Sequence, residues 1–166
     1  MPKMTDPSEA LKSFQQMLPS GRLQLQPGAI DAELFVHLDH PNGKPRFTYV
    51  RIEHLTVTVL VVFVLGDPIE GVPCFSVGYA VPEAYRNQGR AKSAVTAAIS
   101  ELEHGMARNK VTAFWVEAIV GVDNEASQHV AAATISSAAI AVTDQFSGLP
   151  ALHYVQKFGK GAVSSV

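Results

Sequence analysis

Tyr85-Arg86-Asn87-Gln88-Gly89-Arg90-Ala91-Lys92-Ser93 joins a strand-like run at residues 74–81 to a helix-periodic run at residues 92–108. A strand that turns through a glycine into a helix start leaves several main-chain N–H groups without intrahelical acceptors. The helix dipole adds partial positive charge at the same point. Such a turn suits a phosphate or diphosphate. Arg86, Arg90 and Lys92 add formal charge within the same stretch. The plain alternative is a sharp surface turn whose arginines are merely solvated. A Walker loop needs two glycines followed by Lys-Ser/Thr, and a dinucleotide fingerprint needs three glycines. Neither spacing is present.

Outward from this turn, the chain reads as strands, helix, strand, helix, strands. Ala10, Leu11, Phe14, Met17 and Leu18 give a helical spacing over residues 7–18, ended by Pro19-Ser20-Gly21. Strand-like runs at 34–38 and 47–52 flank His40-Pro41-Asn42-Gly43-Lys44-Pro45, whose Asn-Gly step predicts a hairpin. Runs at 55–65 and 74–81 follow across a second turn, giving up to four consecutive antiparallel strands. The helix from about residue 91 to 108 places Ala94, Val95, Ala98, Ile99, Leu102 and Met106 on one face, with Lys92, Glu101, Glu103 and Arg108 read as solvated. A strand at 111–120 comes next. Asp123 or Asn124 then caps an alanine-rich helix over 125–136. Runs at 138–142 and 151–158 form a last hairpin. This order predicts an α/β (α+β) fold: a mixed, mainly antiparallel sheet with helices on both faces. It is expected to be a single domain with an N-terminal helix at 7–18, a core at 33–158 and a loose tail at 159–166.

Composition narrows the function classes. At 166 residues with 47% apolar and 17% charged residues, the chain has enough apolar material for one sizeable core. A formal net charge of −2 and the absence of a long basic run disfavour general nucleic-acid binding. The longest apolar run, residues 55–65, is eleven residues and dense in Val and Thr. It reads as a buried strand, far short of the ~20 residues of a membrane helix. No signal-peptide layout opens the chain, so a cytoplasmic location without membrane association is expected. Cys74 is the only cysteine and reads as a core thiol, with a reactive thiol as the alternative. His37, Asp39 and His40 invite a metal reading, but His40 points away from the other two on a strand and no fourth ligand is spaced to join them. No metal is therefore expected.

The segment Val81-Pro82-Glu83-Ala84-Tyr85, followed by Arg86-x-x-Gly89-x-Ala91 between a strand and a helix, resembles the signature of the GNAT superfamily of N-acetyltransferases. Asn124-x-x-Ser127 at the start of the next helix is similar to the family's second motif. The resemblance covers residues 74 to about 131, and the flanks match by element order. It implies a GNAT-like acyltransferase that takes acetyl-CoA or another acyl-CoA and transfers the acyl group to an amine by direct attack in a ternary complex. On this resemblance the amides of Gln88, Gly89, Arg90 and Ala91 converge on the pyrophosphate, with Arg86, Asn87, Lys92 and Ser93 beside it. Main-chain groups near Tyr79, Ala80 and Val81 pair with the pantetheine arm as an added strand would. Asn124 and Ser127 flank the arm.

Acetyl transfer needs a neutral amine, an aligned thioester and help for the departing thiolate. An amine with a pKa of about 10.4 is roughly one part in a thousand neutral at pH 7, so a base aids the reaction. Glu117, in the otherwise apolar stretch at 114–120, is the first candidate, and a structural, paired glutamate is the alternative. Glu53 and His54 are secondary, with surface residues at a hairpin end as the alternative. The family's usual acid is a tyrosine seven residues after the helix-start Asn, and that position here is Ala131. Ser127, Tyr154 or His129 then stand as substitutes, or water serves, or the chain binds cofactor without turnover. Members also often carry two helices between the first two strands, where this chain has only residues 40–46. Either the helix at 7–18 replaces that wall or the acceptor groove is open. The acceptor is an amine on a small molecule, peptide or protein, and a homodimer is compatible. A non-catalytic acyl-CoA binder or a protein-interaction module is the alternative.

Overall fold

The computed structural model describes residues 6–159, so the tail expected after Gly159 lies, but for that glycine, outside the described residues. One eight-stranded sheet runs through the molecule in the order β1-β2-β3-β4-β5-β6-β8-β7. Its strands are β1 (Gln26–Pro27), β2 (Phe35–Asp39), β3 (Arg46–Glu53), β4 (Thr56–Leu65), β5 (Cys74–Ala80), β6 (Phe114–Gly121), β7 (Ile140–Thr143) and β8 (Pro150–Phe158). All neighbours are antiparallel except β5 and β6. The parallel pair needs a crossover, which α2 (Arg90–Arg108) supplies. The expected mixed, mainly antiparallel fold with helices on both faces is what the chain adopts. Among the described residues no helix is long and apolar enough to cross a membrane.

Helices α2 and α3 (Glu125–Thr134) cover one face of the sheet, where Val61, Phe63, Val95, Leu102, Phe114 and Val116 are buried together. Helix α1 (Pro7–Met17) covers part of the other face, packing Leu11 and Phe14 on Val50, Val57, Leu60 and Val62. Strand β4 is therefore buried on both sides, which is why its sequence runs apolar without a clean alternation. Each large side chain fully buried there stabilises the fold by about 2 kcal/mol. The register shifts by one residue between Arg51 and Ile52, leaving Thr58 as the extra residue. That bulge lets Val57 join Leu60 and Val62 on the α1 face while Val59, Val61 and Phe63 face α2.

Two details of the frame go beyond the expected elements. Residues 54 and 55 close the β3–β4 hairpin with positive φ at both, 51° for His54 and 64° for Leu55. From α1, the Gln15 side-chain amide donates to the Leu55 carbonyl (2.9 Å) and its Oε1 accepts from the Val57 N–H (2.7 Å), holding this turn. Glu101, expected to be solvated, is buried instead. Its carboxylate accepts from the N–H groups of Ala29, Ile30 and Asp31 at 2.9, 2.5 and 3.1 Å, so the loop after β1 is folded around a charge on α2.

Candidate active site

Strands β5 and β6 are paired only at Cys74–Trp115, Phe75–Val116 and Ser76–Glu117. Beyond that point they diverge, and a cavity of about 650 Å³ opens in the split. This is within the ordinary range for small-molecule sites. The cavity runs between the two faces of the sheet. Tyr79 from β5 and Asn124, Ser127 and Val130 from the α3 segment line one side, while Ala80, Ile119 and Asp6-Pro7-Ser8 at the start of α1 line the other. The start of the N-terminal helix thus stands beside the cavity. Asp6 caps that helix by accepting the Ser8 N–H at 2.8 Å.

The mouth of the split is the turn that joins β5 to α2. A short 3₁₀ segment, Glu83–Tyr85, leads into Asn87 and Gly89, both left-handed, with φ 61° and 71°. Left-handed residues on either side of Gln88 curl successive N–H groups toward one side. Among the described residues, no acceptor pairs with the main-chain N–H of Gly89, Arg90, Ala91 or Lys92. A Cβ on Gly89 would meet nothing within 4 Å, so space is open in front of this helix end. Tyr85, Arg86, Asn87, Gly89, Arg90, Ala91 and Lys92 line the cavity. Gln88 and Ser93 do not; the Gln88 Oε1 instead accepts from Arg90 Nε at 3.0 Å. Arg90 also pairs with Glu53 (3.3 Å) and lies over the Tyr85 ring, so Glu53 orients a cation at the mouth.

The free edge of β5 is set by strand parity. The Trp115 N–H donates to the Pro73 carbonyl at 2.7 Å, and the Gly66 N–H donates to the Cys74 carbonyl at 2.9 Å. Main-chain groups alternate sides along a strand, so those of Tyr79 turn to the split and those of Ala80, in register with Leu60, turn to β4. All three of the expected residues at 79–81 line the cavity: Ala80 turns its main chain away from the split, and Val81 has its carbonyl taken by Arg86 Nε at 2.9 Å while its N–H has no acceptor among the described residues. Tyr79 carries more than its main chain. Its hydroxyl donates to the Ser127 carbonyl at 2.6 Å and fastens β5 to α3 across the cavity. Burial pushes the phenol up to about 12, so it stays a neutral donor at pH 7.

The expected acid–base residues fall in three places. Ser127 lines the cavity, and its N–H is held by Asn124 Oδ1 at 3.2 Å, the cap of α3. Tyr154 does not reach the cavity: it pairs with Ala118 and is buried in the core beneath α2 and α3. Ala131 is fully buried and His129 is exposed on α3 outside the cavity lining. Glu117 sits at the last register pair before the split, on the sheet face opposite α2, with Ser76 Oγ donating to Oε1 (3.2 Å) and His153 Nε2 against Oε2 (2.9 Å). Its partner is thus a histidine from β8, which no spacing in the sequence connects to it. Cys74 is buried beside this carboxylate. Burial, helped by Glu117, pushes its thiol up to about 12, which leaves it unreactive at neutral pH. His37 bonds the Gln24 carbonyl and Asp39 pairs with Arg46.

No protein-family model and no curated protein matches the sequence. Solved structures do match. One is a ribosomal-protein alpha-N-acetyltransferase, RimL, in complex with coenzyme A, at 18% identity and a TM-score of 0.51 over 69% of this chain and 63% of its own. Another is a ribosomal-protein alanine acetyltransferase from Vibrio fischeri, at 16% identity and a TM-score of 0.51 over 69% of this chain and 62% of its own. The fold is that of the GNAT acetyltransferases. The chain spans less than two thirds of the length of these GNAT structures.

Proposed function

We propose that this protein is an acyl-CoA-dependent N-acyltransferase that transfers an acetyl group from acetyl-CoA to an amine. The observation that carries the proposal is the set of unpartnered N–H groups at residues 89–92, set at the mouth of a split sheet beside the unpaired edge of Tyr79. The helix end, with Arg86 and Lys92 beside it, fits a diphosphate. The Tyr79 edge fits an extended arm that carries amides, and Asn124 and Ser127 flank that arm. The thioester then falls near the apex of the split, where an amine entering past Asp6 and Ser8 on the α1 side meets its carbonyl. One of the two GNAT structures described above carries coenzyme A, which supports the choice of cofactor. Both act on ribosomal proteins, which makes a peptide amine a natural member of any acceptor panel.

Calorimetry with coenzyme A and acetyl-CoA tests the cofactor. Micromolar binding that Gly89→Glu abolishes is expected, because the new carboxylate would stand in the phosphate position. No heat at high micromolar ligand removes the proposal. A second reading, an acyl-CoA binder without turnover, is favoured by one observation: the phenol nearest the arm, that of Tyr79, is committed to Ser127, and Tyr154 lies outside the cavity. Thiol release with a panel of amines and peptides separates the two, since a pure binder releases none.

A further inference from the structure

On the sheet face away from α2, three side chains form a line at the apex of the split. Ser76 donates to one oxygen of Glu117, and His153 Nε2 meets the other. Both carboxylate oxygens are therefore occupied, and the group is only 14% exposed against 24% for His153. The polar atom left over is His153 Nδ1, which has no partner among the described residues. Its position matters. His153 is in direct register with Ile119, a residue that lines the cavity on this same face. Residues opposite one another on antiparallel strands bring their Cβ atoms within about 5 Å. His153 thus stands one side chain from the cavity, at the end where the thioester would lie.

We propose that His153 is the proton acceptor for the attacking amine and that Glu117 is its positioning residue. This rests on the acyltransferase reading above. A carboxylate whose two oxygens already hold hydrogen bonds is a poor acceptor, whereas an imidazole with one free nitrogen suits proton transfer near neutral pH. Glu117 accepts the Nε2–H and so leaves the lone pair on Nδ1, the tautomer the reaction requires. In the step itself, the amine nitrogen bonds to the thioester carbonyl carbon and its proton passes through a bridging water to Nδ1, since His153 stands behind the cavity lining. The C–S bond then breaks, the thiolate leaves and takes a proton from water, and the imidazolium returns its proton to solvent. The charged and titratable groups around His153 are Glu117 on β6, the Cys74 thiol on β5 and Lys157 on β8, which is held over the Trp115 ring, with Asp6 of α1 across the cavity. Strand β7 contributes only Ile140 opposite it.

The test uses the whole protein, acetyl-CoA and an amine panel, with thiol release followed against pH. His153→Gln should lower kcat by 10²–10³-fold and leave coenzyme A affinity within twofold by calorimetry. It should also replace the wild-type ionisation with a rate that climbs without a plateau. Glu117→Gln should lower kcat at least tenfold with unchanged KM for acetyl-CoA, because its amide can donate to Nε2 and reverse the tautomer. Nitrogen-15 NMR of the imidazole supplies a readout that needs no turnover. The Nε2–H form is expected in the wild type, with a shift toward Nδ1–H in Glu117→Gln. A wild-type Nδ1–H form overturns the assignment, as does a His153→Gln variant with the wild-type kcat and pH profile. Loss in Glu117→Gln with none in His153→Gln would make the carboxylate the base. Failure to bind coenzyme A at all sinks the acyltransferase reading instead.

Discussion

Tyr79 does two jobs that pull its main chain and side chain in opposite directions. Strand parity turns its N–H and C=O to the split, while its ring crosses to α3 and its hydroxyl ends on the Ser127 carbonyl. For the first, the family resemblance pointed only to the stretch 79–81, and it took the register with β4 to show that the Tyr79 main chain faces the split. The second could not be read from the sequence, since it joins residues 48 apart in the chain. Glu117 was conspicuous as a lone carboxylate in an apolar run, yet its partner His153 emerges only when β8 pairs with β6 in register. If the Tyr79 hydroxyl fastens the two walls, Tyr79→Phe should cost about 1 kcal/mol of stability, as one lost hydrogen bond does. It should also raise amide exchange in the first turn of α3 more than in α2. Urea unfolding and hydrogen-exchange mass spectrometry measure the two effects, and unchanged exchange in α3 would mean the bond does not hold that helix in place.

At the level of elements, the alternation and spacing of apolar residues located nearly every strand and helix, because burial against one face imposes those periods. The two-residue β1 escaped, and so did the packing of the loop that follows it. That loop depends on Glu101, which looked like a solvent-facing residue of α2 because a helical wheel cannot show a loop arriving from 70 residues away. Gly28 is required at the contact: a Cβ there would lie 2.5 Å from the Asp31 carbonyl oxygen and 2.7 Å from the Glu101 carboxylate. The Glu101 carboxyl thus meets three successive N–H groups of a loop that the Gly28 N–H to Leu34 carbonyl bond and the Arg51–Asp31 pair also hold. Glu101→Gln keeps one good acceptor oxygen and should cost about 1.5 kcal/mol, whereas Glu101→Ala strands all three donors and should cost about 3 kcal/mol. Denaturant midpoints at constant m-value would show the graded loss. Equal effects from the two substitutions would point to packing and not to the hydrogen bonds.

Taken whole, the molecule is a sheet that is closed by apolar packing along β3, β4 and β5 and deliberately left open where β5 and β6 part. Titratable groups that burial keeps neutral stand both in the closed part and on the wall of the split, and they give the fold a characteristic alkaline limit. Cys74 moves from an ordinary 9.0 to about 12, and Tyr79 from 10.0 to about 12, both chiefly through desolvation; Tyr49, beneath α2, is raised in the same direction. Because the unfolded chain releases these protons first, the native state binds more protons than the unfolded one between pH 9 and about 12. Stability therefore does not depend on these groups below pH 9 and falls as pH rises through that window. Each group contributes at most about 1.4 kcal/mol per pH unit to the slope. Urea midpoints measured from pH 8 to 11.5 should decline in the wild type. Cys74→Ala should flatten the part of the curve that begins near pH 9, and Tyr79→Phe the part that begins near pH 10. The comparison is of slopes, so any loss of packing in the variants shifts the curves without disguising the result. Parallel curves for wild type and both variants would show that neither group is held neutral by the fold.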